Sequence, residues 1–131
     1  MAALPQLVGL PEATRALLER FHGAPLAEVV EMRQEIRRHV EAVWAAHARN
    51  PALDVPLAEA IAHRSLQLLT KIDPGMPEGA RRLIQAAVRY FTASHDVEAD
   101  FTALHGFRED AQVLNAVLRA LGQRDLVAIQ G

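Results

Sequence analysis

Between Pro11 and Gly122 the apolar residues return every third or fourth position, and each run closes on proline or glycine. That period lays one apolar stripe along a helix; a half-buried strand would alternate every second residue instead. The chain therefore reads as helices joined by short breaks. In "PEATRALLERFH", Ala13, Leu17 and Phe21 share a face, with Pro11 in the first turn and Gly23 as the C-terminal cap. The next run, "PLAEVVEMRQEIRRHVEAVWAAHARN", has a seam of Leu26, Val29, Arg33, Ile36, Val40, Val43 and His47. Its "EVVEM" turns apolar groups to more than one side, and Asn50-Pro51 ends it. A third helix follows from Pro56, with Leu57, Ile61, Leu68 and Ile72 inward, and "DPGMPEG" breaks the chain again. A fourth begins near Pro77, with Ala80, Leu83, Ile84, Ala87 and Phe91 as its stripe. The fifth runs from about Glu109 to Leu121, Val113, Leu114, Val117 and Leu121 facing inward, with Gly122 as its stop. The tail "RDLVAIQ" is a short strand or an extended arm.

The expected fold is all-α, a compact bundle of about five helices with a structured acidic loop between the last two. A chain of 131 residues is long enough to bury a core as a single helical domain over residues 1–131. A seam near residues 73–77 would divide a front helical half, 11–72, from a back half, 77–122. Cysteine is absent, which excludes disulfides, thiol nucleophiles and thiolate-bound zinc. The formal charge of -2 gives no overall basic surplus for nucleic acid, which is not the expected partner. No apolar run approaches the roughly 18–20 residues of a spanning helix. The opening "MAALPQLVGLPEATR" lacks the basic start of a signal peptide, so a cytoplasmic protein without a membrane span is expected.

The chemistry, if any, lies in "ASHDVEADFTALHGFREDAQVLN", Ala93 to Asn115. Asp96, Glu98 and Asp100 are close in sequence, Glu109 and Asp110 return after Gly106, and His95 and His105 flank the run. Hard cations take several oxygen ligands, and transition ions take imidazole with carboxylate. Asp96, Asp100 and Asp110, assisted by His95 or His105, are thus the candidate ligands for a divalent metal; no other cofactor is expected. The spacing is not that of an EF-hand. A structural account covers the same residues. Asp96 and Asp100 would accept backbone N–H bonds, and Phe101 and Phe107 would pin the loop to the core. Gly106 would supply a turn, and Glu109 and Asp110 would face the next helix's N-terminus. That scaffold reading is preferred, because it uses all of these residues without an ion.

The spacing D-x-x-x-D-F-x-x-x-x-G-F-x-[DE]-D, from Asp96 to Asp110, resembles the core signature of the YkvA-like family, a bacterial domain of unknown function. The resemblance covers about residues 90–121. It departs from the family pattern at Ser94, Ala99 and Ala103, where proline is common, and at Val97-Glu98 and His105. It implies a helical core and no particular reaction.

Elsewhere the bland readings prevail. Glu19-x-x-His22 has one half of a di-iron helix motif, but the second half is missing, so His22 is read as a helix-end cap. Glu35 with His39 and Glu59 with His63 are read as surface pairs one turn apart, and His47 as a core histidine near Trp44. No nucleophile elbow, P-loop or dinucleotide fingerprint occurs. Arg33, Arg37 and Arg38 are interleaved with Glu31, Glu35 and Glu41, while Arg81, Arg82 and Arg89 form a second basic group. The expectation is a non-catalytic helical module acting through protein contacts, with another protein or as a homo-oligomer. A metal-dependent enzyme using the 95–110 loop is the alternative, and a nucleic-acid-binding module the third.

Overall fold

The computed structural model describes Leu7, residues 9–93 and residues 106–122. It contains five helices there: α1 (Glu12–Gly23), α2 (Val29–His47), α3 (Val55–Leu69), α4 (Glu78–Thr92) and α5 (Gly106–Ala120). The described residues include no strand, and the all-α expectation stands. The breaks have local causes. Asp54 caps α3 by accepting the Leu57 N–H at 3.1 Å. Asp73 folds the next turn by accepting the Gly75 N–H at 2.8 Å. Gly122, at φ +76°, stops α5 in the left-handed conformation and donates its N–H to the Arg119 carbonyl at 3.1 Å.

Helix α4 is the axis of the bundle. It packs against α1, α2, α3 and α5, while α2 also packs on α3, and α3 on α5. Eight of its fifteen residues are buried, including Leu83, Ile84, Val88 and Phe91. Helices on both sides of the Asp73–Pro77 break feed one buried cluster, from Leu18, Ile36 and Ile61 to Leu118.

Two polar side chains of α4 hold the α1–α2 connection. Gln85, 1% exposed, accepts the Ala27 N–H at 2.6 Å and donates to the Phe21 and Ala24 carbonyls at 3.1 and 3.3 Å. Arg82 donates to the His22 and Ala24 carbonyls at 3.0 and 2.8 Å. The Phe21 carbonyl also accepts the Ala24 N–H at 3.3 Å, and the other two lie at and just past the end of α1, where intrahelical donors run out. Gly23 is not left-handed, so the expected glycine cap is replaced by side chains from a distant helix. Ala24, restricted by the proline that follows, is extended. Glu28 is extended as well, and α2 starts at Val29 rather than near Leu26.

Two helix faces differ from the sequence reading. In α1 the buried residues are Thr14, Leu18 and His22, and Ala13 is exposed. In α2 they are Met32, Ile36, His39, Val43 and Ala46, so Arg33, Val40 and His47 flank the core face. His39 is therefore no surface partner of Glu35. It lies edge-on to Phe91, ring centroids 4.6 Å apart, and Glu35 pairs with Arg89 of α4 at 2.8 Å. His22 is also buried, and burial, then the charge of Arg82, lowers its pKa. The fifth helix starts at Gly106, three residues before Glu109.

Two outcomes follow from the clamp and from the buried imidazole. Gln85→Leu should lower the urea midpoint at unchanged m-value, a loss of about 3 kcal/mol, because the Ala27 N–H and the Phe21 carbonyl lose this partner. Burial pushes His39 down to about 4, below its unfolded value of about 6.5. Native protein then binds fewer protons than unfolded protein between these values, so stability is complete above the unfolded pKa and lost as pH falls toward the folded one. Urea unfolding should show a loss of about 2 kcal/mol between about pH 7 and pH 5, and His39→Leu should remove most of that slope.

Candidate interaction surface

The acidic segment divides at the limit of the described residues. Asp96, Asp100, His95, His105 and Phe101 lie outside them, and so does the tail "RDLVAIQ". Gly106 opens α5, Phe107 is 3% exposed within the core, and Asp110 is 4% exposed. Glu109 accepts the Tyr90 hydroxyl at 3.3 Å, and the same oxygen lies 3.5 Å from the Thr14 hydroxyl. Tyr90 thereby ties α1, α4 and α5 together at one end of the bundle. Burial, chiefly, with the nearby Glu109 and Asp110 carboxylates, pushes its phenol up to about 12. Among the described residues no group of three or more His, Asp or Glu could hold a metal ion.

The other distinctive surface is on α2 and α3. Val30 and Trp44 are large, apolar and 61% and 49% exposed. They stand two heptads apart with Arg37 midway, which places all three along one face of α2. Trp44 is fixed rather than loose. Its indole N–H donates to Glu59 of α3 at 3.1 Å, and its ring meets His47 edge-on at 5.9 Å. Beside it lies an open groove of about 360 Å³ between the two helices, floored by Ile36, Val40, Ala62 and Leu66. Arg37, Glu41, Glu59 and His63 form its rim.

The rim holds charged groups of both signs around an apolar floor. A second concavity of about 360 Å³ lies where the α3–α4 turn meets the end of α5, lined by Leu68, Met76, Ala80, Ile84 and Leu121. Its one carboxylate, Asp73, is occupied by the Gly75 N–H. Among the described residues no helix is long and apolar enough to cross a membrane.

The sequence reading marked the two-sided apolar character of "EVVEM" but passed over Trp44 except as a neighbour of His47. The spacing of Val30, Arg37 and Trp44 was available there as a signal. Comparison of the chain with models of protein families, with curated proteins and with solved structures finds no match.

The chain has one tyrosine, so its titration can be followed directly by ultraviolet absorbance. The phenolate of Tyr90 should appear near pH 12 rather than near the usual value of about 10. Stability should correspondingly fall as pH rises through that interval, because the unfolded chain releases this proton first. Glu109→Gln should move the titration back toward the usual value.

Proposed function

We infer that the protein is a non-catalytic helical module that acts through protein contacts on the α2–α3 face. The observation that supports this reading is Trp44, held half-exposed by Glu59 beside an apolar groove. A single exposed apolar side chain needs no explanation. Here Trp44 stands beside an apolar groove, and the indole is already oriented. Fixed, half-exposed aromatic side chains are the usual anchors of protein interfaces, since little rotamer freedom is lost when they are covered. Covering the free half of an indole removes about 100 Å² of largely apolar surface, worth about 2.5 kcal/mol. Folding leaves that gain uncollected.

The YkvA-like assignment belongs to this proposal as its family reading. Its support within the described residues is the end of the motif, Gly106, Phe107, Glu109 and Asp110, which forms the first turns of α5. There Phe107 and Asp110 are buried and Glu109 binds Tyr90, uses that suit a scaffold.

A photoreactive residue in place of Val30 or Arg37 should crosslink the full chain to a protein, in extracts of its source, at the α2–α3 face. The same residue in place of Arg20 or Gln112, exposed on α1 and α5, should not. Equal or absent capture at all four positions would overturn the reading.

A further inference from the structure

The geometry points to a second copy of this chain as the occupant of the α2–α3 face, in an antiparallel, twofold-symmetric dimer. This rests on the interaction reading above and names the partner. A twofold interface uses one patch on both subunits, so the patch must complement itself in shape and in charge. The α2–α3 face meets both conditions. Its knob, Trp44, and its groove, floored by Ile36, Val40, Ala62 and Leu66, lie side by side. A twofold can therefore seat each knob in the opposite groove. The rim carries both signs, with Arg37 set against Glu41 and Glu59. A partner of strongly acidic or basic character would select a rim of the opposite sign alone; this rim carries both signs.

The order of the charges fixes the direction. Arg37 and Glu41 stand one turn apart on α2, with Trp44 and its Glu59 partner beyond them toward the helix C-terminus. A parallel pairing would set Arg37 beside the partner subunit's Arg37. An antiparallel pairing brings Arg37 to the partner subunit's Glu41, twice across the axis. It also directs each Trp44 toward the Arg37–Leu66 end of the opposite groove, where a guanidinium can cover the indole face. Helix α2 has nineteen residues, a length of about 28 Å. A two-helix face of that length covers roughly 600 Å² per subunit, at the low end of specific interfaces. The dimer is therefore a weak, exchanging one.

Sedimentation velocity on the full chain over a concentration series tests this. The single tryptophan supplies a second readout, because its emission should shift to the blue as the dimer forms. Trp44→Ala should sediment as a monomer with an unchanged helical circular-dichroism spectrum. Arg37→Glu and Glu41→Arg should each weaken the dimer about tenfold or more, and the double variant should recover most of the loss. A monomer at every concentration, or a dimer indifferent to these variants, would overturn the second copy as occupant. In that event, crosslinks from position 30 to a different protein would leave the interaction reading standing, and their absence would remove both.

Discussion

The packing of α1 and α2 depends on one buried amide. Gln85 bonds the Ala27 N–H and two carbonyls at the end of α1, and Arg82 takes the His22 carbonyl and shares that of Ala24. A helix C-terminus leaves several carbonyls without intrahelical donors, and buried ones must find partners elsewhere. Here α4 supplies them. The connector is consequently bound to the central helix, and the direction in which α2 departs is set at Ala27. Everything downstream on α2 inherits that direction: His39 against Phe91, Glu35 against Arg89, and Trp44 outward.

Gly23 illustrates why local sequence reading ran out at this point. A glycine after an apolar run predicts a left-handed cap, and at Gly122 that logic holds, with φ +76°. At Gly23 it does not, because donors more than fifty residues away in sequence satisfy the same carbonyls. The helices, their breaks and the inward stripe of α4 were legible, since periodicity and turn residues act locally. The rotation of α1 and α2 was not. A helix with apolar residues on adjoining flanks can bury either flank. The choice was made by α4, whose Tyr90 reaches Thr14 and whose Phe91 meets His39. Likewise Glu59 looked like a partner for His63 one turn away, until the bundle brought the Trp44 indole to it from α2.

Three buried titratable groups follow one pattern. His22 and His39 are driven toward the neutral form, and Tyr90 is held protonated, each mainly by burial. The Glu35–Arg89 pair, by contrast, is only half-buried and its charges neutralise each other at 2.8 Å. This is the economical arrangement, because a buried charge is costly unless it is well compensated. The acids Glu109 and Asp110 were legible as residues of a helix start, but the phenol that Glu109 binds, nineteen residues earlier, was not.

The two faces of α2 differ in what they contribute to folding. Its inner face, with Met32, Ile36, His39 and Val43, is buried against the core, so changes there act on folding. Its outer face, with Val30, Arg37 and Trp44, contributes little to that core, since Val30 and Trp44 remain largely or half exposed and Arg37 is exposed. Glu59 joins the two roles: it belongs to α3, which packs on α2, and it fixes the indole without burying it. An aromatic ring oriented by a neighbour but left uncovered gains little for the monomer. The free energy that remains to be gained lies in covering it, and the surface can use that gain only if something of complementary shape arrives. A face bearing both the knob and the groove already carries that complement.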